Sequence, residues 1–148
     1  MDFPLRIPFI EELGLELLGL GDGESELALT LAERHANSFG VAHGGVTMTL
    51  LDVAMAHAAR SVNRHRRDFG PGVVTIEMKT SFIRPGLGRL TARGRLLSRT
   101  ATLAFCEASV YADDAALCAH ATGTFKYLRA LPTGTRALRP LKAGPGSD

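Results

Sequence analysis

Tryptophan is absent from this chain, cysteine and tyrosine occur twice each, and net charge is nearly balanced at +2. Each shortage removes a class of protein. Cys106 and Cys118 stand apart, outside any CxxC spacing, which argues against a zinc ribbon or disulfide scaffold and fits a reducing compartment with two buried, inert thiols. Crossing a bilayer needs about 20 consecutive apolar residues, and no segment approaches that. Pro4, Pro8, Glu11 and Glu12 also interrupt the amino terminus before a signal-peptide core can form. The expectation is a cytoplasmic protein with no membrane partner. So small a net charge gives no argument for a nucleic-acid partner, although local basic clusters could still meet an anionic ligand.

What is present reads as ordinary globular sequence, 45% hydrophobic and 22% charged over 148 residues, and supports one α+β domain over 1–130 with a flexible tail over 131–148. Residues 5–13 suit a short amphipathic helix entered through Pro8, followed by an alternating hairpin that turns at Gly21-Asp22-Gly23. From Gly44 or Gly45 to about Ser61, alanine, leucine and methionine dominate without a further glycine or proline. That is one helix, apolar nearly all round and so expected to be buried on most sides. Residues 63–72 form a basic loop, and four strands follow over 73–83, 88–98, 101–112 and 116–128. In the first, Val74, Ile76, Met78 and Phe82 are expected to face one way, with Thr75, Glu77, Lys79 and Ser81 facing the other. About six antiparallel strands and one long helix imply a curved sheet wrapped round that helix.

Within the helix, the stretch HGGVTMTLLDVAMAHAA carries one carboxylate, Asp52. It sits about two turns in, too far to cap the helix or meet the positive end of the dipole. Desolvating an unpaired carboxylate would be several kcal/mol unfavourable, roughly, unless hydrogen bonds or water reach it. Either the helix has one wet stripe, or Asp52 is held there for chemistry. His43 and the glycine pair Gly44-Gly45 mark the helix entrance, where free N–H groups suit an oxyanion, and Asn37 lies six residues before His43. Asn37, the Gly44 N–H and Asp52 would supply a polariser, an oxyanion donor and a base, the set that acyl transfer to water requires. Along the helix axis Asp52 lies roughly 12 Å beyond Gly44. Two protomers with antiparallel helices would bring the entrance of one to the carboxylate of the other.

The segment NSFGVAHGGVTMTLLDVA resembles the N-x5-HGG-x7-D signature of PaaI-like acyl-CoA thioesterases of the hotdog-fold superfamily, with the likeness extending over about residues 12–128. The resemblance implies a long helix wrapped by a curved antiparallel sheet, homodimers or dimers of dimers, and active sites at the dimer seam. It implies that Asn37 and the Gly44 N–H polarise the thioester carbonyl, that His43 supports the loop, and that Asp52 of the partner chain acts as general base or as nucleophile. Thr75, ten residues before Pro85, matches the Ser or Thr that helps place the carboxylate or its water. Gly45 lets substrate approach the backbone, Phe39, Phe69 and Phe82 are candidates to line a pocket, and Arg64, Arg66, Arg67, Arg84 and Arg99 are candidates for the coenzyme A phosphates.

The other histidines carry no comparable signal. His57 follows Asp52 by five residues, about 140° round the helix, so the pair cannot chelate one ion from one face. His35, His65 and His120 stand alone. The expectation is a thioester hydrolase needing no metal and no cofactor beyond the coenzyme A of its substrate. The alternatives are an acyl-thioester dehydratase or hydratase using His43 with Asp52, and a non-catalytic acyl-CoA-binding module.

Overall fold

The computed structural model describes residues 1–63 and 72–128. Most of the basic loop, with Arg64, Arg66, Arg67 and Phe69, and the tail from residue 129 lie outside the described residues. Helix α1 (Pro8–Leu13) is followed by strands β1 (Glu16–Gly21) and β2 (Glu24–Thr30), a short 3-10 turn over Glu33–His35, and helix α2 (Gly44–Ser61). Strands β3 (Val73–Phe82), β4 (Arg89–Arg99), β5 (Leu103–Tyr111) and β6 (Leu117–Tyr127) complete one antiparallel sheet in the order β1-β2-β4-β5-β6-β3. This is the hotdog fold, with α2 against one face of a curved sheet and touching all six strands.

Local chemistry explains the joints. Asp22 and Gly23 both take positive φ, 54° and 83°, which is what a tight two-residue hairpin demands and what Asp-Gly tolerates. The β4–β5 turn is longer than the Arg99-Thr100 expected: the Thr100 hydroxyl accepts the N–H groups of Thr102 and Leu103, so β5 begins at Leu103.

Helix and sheet are joined by apolar burial and by sheet side chains that reach helix carbonyls. Leu50, Leu51, Ala54, Met55 and Ala58 of α2 are fully buried. Ser25 donates to the Ala54 carbonyl at 2.6 Å and Tyr127 to the Ala59 carbonyl at 2.7 Å. At Gly94 the fit is tight: a Cβ there would collide with the Ala54 carbonyl and come within 2.8 Å of Ser25 Oγ. The absence of a side chain in β4 lets α2 lie directly on the sheet.

Strand β3 corrects the simple alternation read from its sequence. Thr75 pairs with Phe125 and Glu77 with Thr124, so Ile76 is an extra residue in a bulge. Because directly opposed residues share a face, Thr75 lies on the helix side with buried Phe125, as do Met78 and Phe82, paired with Gly123 and Ala119. Val74, opposite Lys126, faces away and is 44% exposed. The expected grouping of Val74 and Ile76 with Met78 and Phe82 therefore fails, because one inserted residue inverts the period.

Candidate functional site

The loop before α2 is organised by Asn37. Its side-chain carbonyl accepts the N–H of Phe39 at 2.9 Å and of Val41 at 3.3 Å, and its backbone N–H donates to Val41 O at 2.8 Å. Gly40, with φ 75°, permits the turn. With Oδ1 committed to the loop, the two amide hydrogens on Nδ2 remain as donors unbonded to any described residue.

At the helix entrance His43 is the N-cap residue, its Nδ1 accepting the Gly45 N–H at 2.9 Å. A Cβ on Gly45 would press to 3.1 Å of that nitrogen, which accounts for the second glycine. Val46 and Thr47 donate to the His43 carbonyl. Among the described residues nothing accepts from the Gly44 N–H, so the first turn presents this donor free. The Phe82 ring lies beside it, 3.4 Å from where a Gly44 Cβ would be. Asn37 and Gly44 share a cavity of about 350 Å³ with Thr47, Phe82, Arg84 and Cys118.

Asp52 is elsewhere. It lies part-exposed on a narrow stripe of α2 with Gly45, Met48, Thr49 and Ala56, so within one chain the wet stripe exists and the carboxylate is less enclosed than its apolar surroundings suggested. It is nonetheless held: the Thr75 hydroxyl donates to Asp52 Oδ1 at 2.7 Å, a contact that the β3 bulge makes available. One chain therefore places the Asn37 amide and the Gly44 N–H at the mouth of α2 and an oriented carboxylate about two turns along it.

Of the other expected site residues, Phe82 and Arg84 meet Asn37 and Gly44, while Phe39 and Arg99 do not. Phe39 is 87% exposed at the loop tip. Arg99 stacks over Tyr127 at 5.2 Å and donates to Asn63 Oδ1. Other lining residues were not read as site residues from the sequence, Thr47 and Cys118 among them. Thr47 could have been found, since it follows Gly44 by three on the helix and shares its face. Cys118 could not, because it arrives through β6, whose carbonyl at 118 accepts the N–H groups of Ile83 and Arg84.

Titration separates bystanders from this site. Burial pushes the Cys106 thiol up to about 12, which fits an inert core residue. Burial also lowers His57 to about 4, against a partly offsetting hydrogen bond to the Val53 carbonyl, and its Nε2 is buried without a partner. His35 is structural, accepting from Ala32 N and donating to Leu13 O. Among the described residues no three His, Cys, Asp or Glu side chains gather as a metal site would require.

A family model described as the thioesterase superfamily matches residues 39–119, which include the Gly44 entrance, Asp52 and Thr75. The chain belongs to the thioesterase superfamily. A conserved protein of Pseudomonas aeruginosa is 33% identical, with TM-score 0.76 over 84% of this chain and 97% of its own. A variant of the phenylacetic acid degradation protein PaaI from Thermus thermophilus is 31% identical, with TM-score 0.71 over 82% of this chain and all of its own, at 100%. Among curated proteins, a candidate esterase of Saccharolobus solfataricus is 30% identical across 79% of this chain and 75% of that protein. Membership and these relatives support thioester hydrolysis as the reaction class of this thioesterase-superfamily chain. No helix of the described residues is long and apolar enough to cross a membrane.

Proposed function

We propose that the protein is a homo-oligomeric acyl-CoA thioesterase whose active site forms between two chains. The observation that carries this reading is the pair of half-sites along one helix–strand contact: Gly44 beside Phe82, and Asp52 bonded to Thr75 seven residues earlier on β3. Strand β3 is an edge of the sheet. Pairing it antiparallel with its copy, Phe82 near the partner's Thr75, carries each Asp52 to the other chain's Gly44. The exposed Val74 and Ile76 of β3 and the exposed Met48 of α2 border the same seam.

In this reading the thioester carbonyl oxygen lies between Asn37 Nδ2 and the Gly44 N–H. These donors stabilise the negative charge that develops as the carbonyl carbon becomes tetrahedral. Asp52 takes a proton from water as the water oxygen bonds to that carbon. Collapse breaks the carbon–sulfur bond and the proton passes to the departing thiolate, giving a carboxylic acid and free coenzyme A. Alternatively Asp52 itself attacks, forming an anhydride that water opens. In either route Thr75 positions Asp52 by donating to Oδ1, and no metal or cofactor takes part. A dehydratase reading would need His43 to abstract a proton, but its Nδ1 already accepts the Gly45 N–H, which places the ring proton on Nε2 and leaves a donor there. A binding module would leave the oriented Asp52–Thr75 pair without a task.

Subunit mixing tests the shared site. In a thiol-release assay with acyl-CoA the Asp52→Ala homodimer should be inactive and the Asn37→Ala homodimer should keep only about 1% of wild-type activity. A randomised equal mixture should recover about a quarter of wild-type activity, because half the dimers then contain one intact composite site. No recovery despite demonstrated subunit exchange would reject the shared site.

A further inference from the structure

The cavity containing the Asn37 amide and the Gly44 N–H also contains two groups that the proposed hydrolysis leaves unused. Thr47, in the first turn of α2, lines it and is only 6% exposed. Its hydroxyl bonds to no described residue, whereas Thr49, two positions on, donates to the Gly45 carbonyl at 2.8 Å. Arg84, just past β3, is anchored by its backbone N–H to Cys118 O at 3.0 Å. Its guanidinium is the one charged group on this cavity among the described residues and pairs with no carboxylate among them. The remaining wall is largely apolar, with Val41, Ala42, Phe82 and Ile83.

Position decides what these groups can touch. They share about 350 Å³ with the carbonyl donors, the small end of ligand cavities. A thioester seated on those donors puts the coenzyme's phosphates a whole pantetheine arm away. Arg84 is therefore placed to meet the acyl group, not the phosphates for which its charge alone made it a candidate. The Thr47 hydroxyl has no partner among the described residues, the Arg84 guanidinium is exposed at the cavity mouth without a carboxylate, and of the acceptors an acyl group can carry a carboxylate suits the planar guanidinium fork best. A methyl-terminated chain would offer neither donor an acceptor.

Resting on the thioesterase reading above, we propose that the preferred acyl group is short and ends in a carboxylate, which Arg84 pairs with and Thr47 hydrogen-bonds. Glutaryl-CoA and pentanoyl-CoA, of equal chain length, provide the comparison. Wild-type kcat/KM should favour glutaryl-CoA about tenfold or more. That ratio should fall towards one in Arg84→Gln and by a smaller factor in the near-isosteric Thr47→Val, with thermal melts confirming that both variants fold. Calorimetry with the uncleavable thioethers S-(4-carboxybutyl)-CoA and S-pentyl-CoA reads the same preference without turnover. Cleavage of both thioesters with no preference, or an equal loss on both in Arg84→Gln as a pantetheine contact would give, overturns the proposal and leaves the hydrolase reading intact. Discrimination between thioethers that depends on Arg84, with no acyl-CoA cleaved, keeps the carboxylate subsite and removes the hydrolase reading. Failure of both experiments removes both.

Discussion

Among the described residues, one hydroxyl orients Asp52. The 2.7 Å donation from Thr75 fixes Oδ1 and leaves Oδ2 without a partner among the described residues; on the proposed reading that oxygen receives a proton or attacks. Asp52→Ala is expected to abolish thiol release while the chain stays folded, since the carboxylate lies on a part-exposed stripe and not in the core. Asn37→Ala should lower kcat by about 10²-fold, the effect typical of removing one oxyanion donor; unchanged turnover in either variant would remove that residue's role. His57 bears on stability instead. Folded, it stays neutral down to about pH 4, whereas the unfolded chain takes up a proton below the ordinary value of 6.5. The unfolded state thus binds more protons between those values, and stability falls as pH drops through that window, by on the order of 3 kcal/mol. Denaturant melts of His57→Leu should show this acid dependence flattened, and an unaltered slope would place its origin elsewhere.

Among the elements, β3 and β4 each depart from regularity where the helix requires it. The bulge at Ile76 turns Thr75 inward without turning Phe82 outward, so one strand reaches both Asp52 and Gly44. In β4, Gly94 supplies the gap into which the Ala54 carbonyl fits. Gly94→Ala should force α2 away from the sheet and destabilise by about 1–3 kcal/mol or more, a fall in Tm of roughly 5 °C or greater for a chain this size. A melt within a degree of wild type would show that helix and sheet can separate freely there.

Considered whole, the protein is asymmetric in how it treats its sheet edges. At β1 the chain's own amino terminus crosses over, the Met1 ammonium reaching the Leu17 carbonyl. At β3 the edge keeps Ile76, next to Thr75 in the chain, 54% exposed. On the two-chain reading this edge is the seam. Ile76→Lys, a substitution of the kind that guards natural edge strands, should convert dimers to monomers by light scattering and lose thioester cleavage together. An active monomer would defeat the reading.

Much of this was legible in the sequence because it follows from short-range rules. The limits of α2, the Asp-Gly hairpin turn and the strand succession come from periodicity, capping and turn chemistry, all set within a few residues. Asp52 and the Gly44-Gly45 pair stood out because they are unusual where they lie on a helix, and Asn37 through its spacing before them in the N-x5-HGG-x7-D pattern. The facing of β3, the Asp52–Thr75 bond, and the meeting of Thr47, Arg84 and Cys118 in one cavity were decided only by tertiary structure. A bulge is defined by the count of residues on the opposing strand, and a cavity wall by elements that approach from distant parts of the chain. No local pattern encodes either.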